Sequence, residues 1–124
     1  MPKTILVVDD EPSILELVSA IMEGAGYKVL TASNGHEALE IIDRSQPDLV
    51  ILDMMMPKMT GREVCERIRQ NPKTAGLKVA FLTVAQFSET GKDILHDLKI
   101  LDYITKPFTN ADLVKRVKVM LDAN

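Results

Sequence analysis

TILVVDDEPSILELVSAI, residues 4–21, joins a short β-branched run to a stretch whose apolar residues recur at helical spacing. Its first part, residues 4–8, is nearly all apolar, which is typical of a strand buried on both faces of a parallel sheet. In its second part the apolar residues form one stripe along a helix: Ile14, Leu17, Val18 and Ile21. A strand that leads directly into a helix is the building unit of sheets covered by helices on both faces.

The same unit recurs along the rest of the chain. Four further runs are predicted to be strands: residues 28–31, 49–52, 78–83 and 101–105. The third and fourth strands are nearly all apolar and are predicted to be central. The second and fifth strands are more mixed, so we expect them at the edges of the sheet.

Capping signals mark where three of the helices begin. In each, a residue that can accept a hydrogen bond is followed three positions later by an acid: Asn34 with Glu37, Thr60 with Glu63, and Thr109 with Asp112. A further helix, the fourth in order, is expected between Ser88 and Leu98, where Gly91 disfavours a helix start. The sequence therefore predicts one α/β domain over residues 1–124, a doubly wound (βα)5 parallel sheet.

Length and composition exclude several classes of protein. The chain has 124 residues and a formal net charge of -3, so we expect one domain and no direct binding to nucleic acid. The lone Cys65 excludes an internal disulfide and favours a reducing, cytoplasmic setting. Every apolar run is far shorter than the ~20 residues of a membrane-spanning helix, so no membrane segment is expected.

Chemically reactive residues follow four of the predicted strands. Asp9 and Asp10 come after the first strand, Asp53 ends the third, Thr83 ends the fourth and Lys106 follows the fifth. In open parallel sheets, ligands bind beyond the carboxyl ends of the strands. We therefore expect these side chains to form one site.

The residue types at this site indicate phosphoryl transfer. Three carboxylates repel one another unless a cation or a proton intervenes, and hard oxygen ligands suit Mg²⁺ or, as an alternative, Mn²⁺. One carboxylate is then available as a nucleophile towards phosphorus. Lys106 can neutralise the phosphoryl group and Thr83 can donate a hydrogen bond to it. This set of residues favours phosphorylation of an aspartate.

Four segments together resemble the receiver domain of two-component response regulators, a family that includes the single-domain chemotaxis regulator. They are ILVVDDEPSI, PDLVILDMMMPKMTGREV, FLT and DYITKPF, and they span the chain almost end to end. The resemblance implies a flavodoxin-like five-stranded sheet of order 2-1-3-4-5. It also implies a stoichiometric phosphoacceptor, not an enzyme, that promotes its own phosphorylation and slow dephosphorylation.

The resemblance implies a role for each site residue. Asp53 would accept the phosphoryl group from a sensor histidine kinase or a histidine phosphotransfer protein. Asp10 and Asp53 would bind Mg²⁺ directly, Asp9 would act through water, and the backbone carbonyl of Met55 would complete the protein ligands. Lys106 would pair with the acids and then with the phosphoryl oxygens, and its bond to the following proline would be cis.

The resemblance also implies a switch and its partners. Thr83 and Tyr103 would be the switch pair: the Thr83 hydroxyl moves towards the phosphoryl group, and the Tyr103 ring rotates from solvent towards the interior. This would change the surface formed by the fourth helix, the fifth strand and the fifth helix. The partner downstream would be an effector protein or an output domain outside this chain, with a phosphorylation-dependent dimer as a further possibility.

One departure from the family pattern concerns the turn before the fifth strand. Receivers usually carry Gly-Ala there, whereas this chain has Lys99-Ile100-Leu101. A lysine in the left-handed conformation costs on the order of 1 kcal/mol. We therefore expect the turn itself to be altered.

Other departures concern the phosphorylation site. Val84 follows Thr83 where the family has a small residue, and it is expected to narrow access to Asp53. Met55 and Ala85 cannot hold an attacking water by hydrogen bonds, which predicts slow autodephosphorylation.

Three alternatives remain open. A degenerate receiver would act as a constitutive binding module, although all the expected site positions are filled. A phosphatase of the haloacid dehalogenase type would need an acid at the position of Met55. A flavodoxin-like nucleotide or flavin binder would need small residues in its first loop, where Asp9-Asp10-Glu11 would repel a phosphate.

Overall fold

The computed structural model describes residues 2–84 and 98–123, with the side chain of Val84 left out. The strands are β1 (Thr4–Val8), β2 (Lys28–Ala32), β3 (Leu49–Asp53), β4 (Lys78–Val84) and β5 (Asp102–Lys106). The helices in these ranges are α1 (Pro12–Gly24), α2 (Gly35–Ser45), α3 (Gly61–Gln70) and α4 (Asn110–Asp122). Helix α4 is the fifth predicted helix. The fourth, predicted between Ser88 and Leu98, falls on residues 85–97, which lie outside the described ranges.

The strands form one parallel sheet of order β2-β1-β3-β4-β5, which confirms the predicted topology. The nearly all-apolar strands β1, β3 and β4 are central, and the mixed strands β2 and β5 lie at the edges, as predicted. Strand β5 begins at Asp102 instead of Leu101, although the Leu101 N–H already donates to the carbonyl of Val79 in β4 (2.9 Å).

The core consists of two apolar layers, one on each face of the sheet. Along β1 and β3 successive side chains alternate between the layers, as the pleat of a strand requires. Leu6 and Val50 pack with α2 and α3, whereas Ile5 and Leu49 pack with α1 and α4. Burial on both faces explains why the central strands are continuous apolar runs.

The three predicted caps are confirmed. Thr60 Oγ1 accepts a hydrogen bond from the Glu63 N–H, and the Glu63 carboxylate accepts one from the Thr60 N–H, each at 3.2 Å. The side chains of Asn34 and Thr109 accept the corresponding bonds at the starts of α2 and α4. Within the part of the chain that the structure describes, no helix is both long and apolar enough to cross a bilayer.

The expectation of an altered turn before β5 is wrong. Lys99 adopts the left-handed conformation itself, with φ at 57°. The physical reason lies in α3: the guanidinium of Arg69 donates to the carbonyls of Leu98 (2.7 Å) and Lys99 (3.3 Å). These hydrogen bonds offset the backbone strain of a non-glycine residue in this conformation.

Candidate functional site

The polar side chains buried in the sheet gather at one edge. Among residues 2–84 and 98–123, the buried polar or charged residues are Asp9, Asp53 and Thr83. Asp9 directly follows β1, Asp53 ends β3 and Thr83 is the next-to-last residue of β4. All three therefore lie at the carboxyl ends of neighbouring parallel strands, as predicted. Polar groups are costly to bury, so their concentration at this edge points to function.

The predicted acid cluster is present. Asp9, Asp10 and Asp53 each offer a carboxylate oxygen, and these oxygens lie within 4.8 Å of one another. Asp10 is exposed to solvent, whereas Asp9 is fully buried. Both oxygens of Asp9 accept hydrogen bonds, Oδ1 from the Glu11 N–H (2.9 Å) and Oδ2 from Lys106 Nζ (3.1 Å). Asp10 therefore faces the solution, and Asp9 is held within the protein.

Asp53 titrates far above an ordinary aspartate. The pKa of its carboxyl is raised from 3.8 to about 6, chiefly by burial, with smaller contributions from the charge of Asp9 and the adjacent Asp10 carboxyl, and against two opposing contacts. Those contacts are the Met55 N–H, 3.2 Å from Oδ1, and the ammonium of Lys106. At neutral pH the carboxylate is thus mostly ionised. The Lys106 ammonium and the Met55 N–H do not fully offset the burial and the charge of Asp9, which disfavour ionisation.

Lys106 is the cation of the site. Its Nζ lies 3.1 Å from Asp9 Oδ2, 3.6 Å from Asp53 Oδ1 and 3.9 Å from Glu11 Oε1. Burial lowers the pKa of Lys106, but the hydrogen bond to Asp9 and the charges of Asp53 and Glu11 outweigh burial and raise it overall. Lys106 is therefore charged at neutral pH. Its peptide bond to Pro107 is cis, which confirms that prediction.

Gly61 lets the loop after β3 fold closely around Asp53. A Cβ atom at Gly61 would overlap the carbonyl oxygen of Asp53 and lie 2.9 Å from Cα of Met54. The Gly61 N–H donates to the Met54 carbonyl at 3.0 Å, and α3 begins there behind its cap. The first turn of α3 thus packs against the backbone that carries the acidic side chain.

The two predicted switch residues lie on neighbouring strands. Thr83 is opposite Thr105 in the register of β4 and β5, and Tyr103 is opposite Phe81. The Tyr103 ring is half-buried on the α3 side, with its centroid 6.1 Å from that of Phe81. Burial and, secondly, the nearby Cys65 thiol raise the pKa of Tyr103. Thr83 and Tyr103 are thus offset by two residues along the paired strands.

Met55 lies at the border of the site. Met55 is 73% exposed, and its N–H is directed at Asp53. The Val84 side chain and Ala85 are outside the described residues, so the predictions about site access and about water positioning at Ala85 stay predictions.

Sequence reasoning missed several contributors. Glu11 reaches Lys106, and its position directly after the acid pair was a usable signal. Gly61 directly follows the helix cap, and a glycine at that position was a usable sign that another segment of backbone lies close to it. Arg69 gave no signal, because its acceptors are main-chain carbonyls that every residue carries.

Comparison with known proteins connects this geometry to a family. A family model described as the response regulator receiver domain matches residues 5–118. The alkaline phosphatase synthesis transcriptional regulatory protein PhoP of Bacillus subtilis is 44% identical over 98% of this chain and 49% of its own length. The phosphate regulon transcriptional regulatory protein PhoB of Pseudomonas aeruginosa is 40% identical over 96% of this chain and 52% of its own. The chain spans about half the length of the curated relatives it matches.

Solved structures agree with the sequence comparison. The Vibrio cholerae chemotaxis protein CheY4 superposes with a TM-score of 0.91 at 31% identity, covering 97% of this chain and 99% of that one. The N-terminal domain of a response regulator receiver protein from Methanoculleus marisnigri superposes with a TM-score of 0.81 at 38% identity, covering 98% of each chain.

Proposed function

The chain belongs to the response regulator receiver domains of two-component systems, and on that premise we propose that it is a switch whose phosphoryl acceptor is Asp53. We propose that residues 1–124 form this single receiver. The observation that carries the assignment is the position of Asp53: a buried carboxylate at the end of a central strand, 3.6 Å from Lys106 and beside two further carboxylates. Receiver domains are phosphoacceptor signalling modules and not enzymes that turn over a substrate.

The proposed transfer uses the charges of this site. The Asp53 carboxylate, ionised at neutral pH because its pKa is about 6, forms a bond from one oxygen to phosphorus. The bond from phosphorus to the donor breaks and its electron pair leaves with the donor. For a phosphohistidine donor the leaving atom is an imidazole nitrogen, which is then protonated from solvent. Lys106 can bind the oxygens of the transferred group, and the buried Thr83 hydroxyl can donate to them.

Mg²⁺, or Mn²⁺ in its place, fits the donor set. The three carboxylates provide hard oxygen atoms within 4.8 Å of one another, and Asp10 faces solvent, from which an ion would arrive. We assign Asp10 and Asp53 as direct ligands and the Met55 carbonyl as a third. Asp9 would act through water, because both its oxygens already accept protein hydrogen bonds. When bound, the cation supplies the positive charge that lets carboxylates and phosphoryl oxygens lie together.

Phosphorylation would be read through Thr83 and Tyr103. A phosphoryl group adds about two negative charges and three acceptor oxygens, which would attract the Thr83 hydroxyl. The Tyr103 ring, half-buried already, would then move further inwards and change the face formed by the fourth predicted helix, β5 and α4.

The proposed partners follow from the family. The phosphoryl donor would be a sensor histidine kinase or a histidine phosphotransfer protein in the cytoplasm. The output would be a separate effector or a further domain, as the names of the relatives, which describe transcriptional regulators, suggest. A phosphorylation-dependent dimer is part of the proposal, whereas direct binding of nucleic acid by this chain is not.

The test is to incubate the protein with Mg²⁺ and acetyl phosphate and to record its intact mass. We expect one added phosphoryl group in the wild type and in Asp43→Asn, a matched change at an exposed aspartate of α2. We expect none in Asp53→Asn, and none in the wild type with EDTA. An adduct that persists in Asp53→Asn would refute the acceptor. No adduct with any donor would favour a constitutive binding module, and continuous release of phosphate would favour a phosphatase.

A further inference from the structure

Arg69, in the last turn of α3, binds main-chain carbonyls from two separate loops. Nη1 donates to the carbonyls of Ala75 (2.9 Å) and Leu77 (2.6 Å), just before β4. Nε donates to the carbonyl of Leu98 (2.7 Å) and Nη2 to that of Lys99 (3.3 Å), just before β5. A guanidinium presents five N–H donors in one rigid plane, so a single side chain can join the two loops in one geometry.

The second of these loops contains a turn that glycine would adopt more readily. Lys99 has φ at 57°, a conformation that is sterically disfavoured for a residue with a Cβ atom. The chain then pairs with β4 through the Leu101 N–H and enters β5 at Asp102. Arg69 therefore supports the backbone that sets where β5 begins.

The turn at Leu98 and the ring of Tyr103 lie on the same side of the sheet. Tyr103 and Leu98 pack against one apolar cluster on the α3 side of the sheet, and the fully buried Cys65 belongs to that cluster. The Cys65 thiol donates to the Leu98 carbonyl at 3.9 Å, so Cys65 and Arg69 share one acceptor. Burial and, to a lesser extent, the proximity of this thiol raise the pKa of Tyr103. The turn and the ring thus lie against the same face of α3.

We propose that Arg69 is a positioning residue for Tyr103: by holding the turn at Leu98 and Lys99, it sets the pocket in which the ring lies and limits the movement of the ring. The role of Tyr103 as a switch rests on the proposed function, whereas the placement of its ring does not. Helix α3 would then be linked to the turn that leads into β5, and so to Tyr103, by hydrogen bonds as well as by apolar packing.

Fluorine NMR of fluorotyrosine-labelled protein tests the proposal without any phosphoryl group. The chain has two tyrosines, and Tyr27 packs in the apolar layer on the opposite face of the sheet. A Tyr27→Phe background therefore leaves one resonance, from Tyr103. In that background we expect Arg69→Met to shift the resonance towards that of solvent-exposed fluorotyrosine. Arg67→Met removes the same charge from an exposed site on the same helix and should leave the resonance unchanged.

A rescue variant separates positioning from general damage. Because glycine adopts the left-handed conformation without support, Lys99→Gly should return the resonance of Arg69→Met towards its wild-type position. Arg69→Lys should give a smaller shift than Arg69→Met, and it replaces that variant if the latter does not fold. An unchanged resonance in Arg69→Met, or a shift that Lys99→Gly does not reverse, would overturn the proposal.

A separate arm distinguishes failure of the switch from failure of the positioning role. Acetyl phosphate and Mg²⁺ should move the Tyr103 resonance of the wild type, and the movement should be larger or less uniform in Arg69→Met. A wild-type resonance that stays in place while mass spectrometry shows phosphorylation would overturn the switch role of Tyr103, whatever the effect of Arg69.

Discussion

Nζ of Lys106 lies 3.1 Å from Oδ2 of Asp9, a carboxylate that is completely buried. A buried carboxylate that loses its partner is left without compensation for its lost hydration, which destabilises a fold by about 3–5 kcal/mol. The ammonium group of Lys106 therefore stabilises the fold and is also part of the candidate site. Because it also lies 3.6 Å from Oδ1 of Asp53, an incoming phosphoryl group would compete with Asp9 for the same cation.

We expect Lys106→Met to lower the free energy of unfolding at neutral pH by about 3 kcal/mol, because Asp9 stays buried without its cation. Urea unfolding at neutral pH measures this loss. Lys118→Met, at an exposed lysine of α4, is the matched control, and an equal loss in the two variants would contradict the prediction.

The raised pKa of Asp53, about 6 instead of 3.8, predicts a pH dependence of stability. Between about pH 4 and pH 6 the folded state binds the proton more tightly than the unfolded chain, so this stabilisation is present in acid and is lost as the pH rises through the folded pKa. Asp53→Asn cannot ionise. We expect it to exceed the wild type at neutral pH by on the order of 2 kcal/mol in free energy of unfolding.

The measurement is urea unfolding in EDTA across this pH range. The advantage of Asp53→Asn should disappear near about pH 4, where the wild-type carboxyl is protonated in the folded protein. Asp43→Asn, on the exposed side of α2, should follow the wild type at every pH. A constant difference between Asp53→Asn and the wild type would show that ionisation of Asp53 is not its cause.

Mg²⁺ should stabilise the protein through the acid cluster. An ion that binds only the folded state adds about 2.7 kcal/mol at a concentration of one hundred times Kd. We expect the wild type to show a rise in Tm with Mg²⁺ at neutral pH, and Asp10→Asn to show little or none, because the exposed Asp10 is a proposed direct ligand. A full Mg²⁺-dependent rise in Asp10→Asn, equal to that of Asp43→Asn, would remove Asp10 from the ligand set.

Much of the fold could be predicted because its signals are local in sequence. Continuous apolar runs identified the central strands, and caps such as Thr60 with Glu63 identified helix starts to the residue. Asp53, Thr83 and Lys106 could be grouped into one site because parallel strands all end at the same edge of a sheet. No side-chain contact had to be known for these inferences.

The turn before β5 could not be predicted because its cause is distant in sequence. The intrinsic cost of a left-handed lysine argued for a different turn at Lys99, and only Arg69, on another element, reverses that argument. Its partners are carbonyl oxygens, which carry no residue identity. Gly61 is a similar case, because the close approach to Asp53 that requires a glycine there is visible only in three dimensions.

Gly61→Ala should damage both the fold and the site. Its new Cβ would overlap the carbonyl oxygen of Asp53, so α3 or β3 must shift, at a cost of about 1–3 kcal/mol in free energy of unfolding. We expect slower phosphorylation by acetyl phosphate as well, since Asp53 moves with its backbone. Gly76→Ala is the matched control because open space surrounds that position. Equal stability and equal phosphorylation rates in the two variants would contradict the proposed close packing.

Met55 predicts a long-lived phosphoryl group on Asp53. Its N–H is bonded to Asp53, while its side chain is 73% exposed and offers only a thioether, a weak hydrogen-bond acceptor. It therefore cannot hold a water molecule in line for attack on phosphorus, and hydrolysis depends on water that is not positioned. We expect slow loss of the phosphoryl group from the isolated protein, several-fold faster loss in Met55→Gln, and no change in Met55→Leu. Intact-mass decay after removal of acetyl phosphate measures the lifetime, and a half-life of only seconds in the wild type would show that another group positions the water.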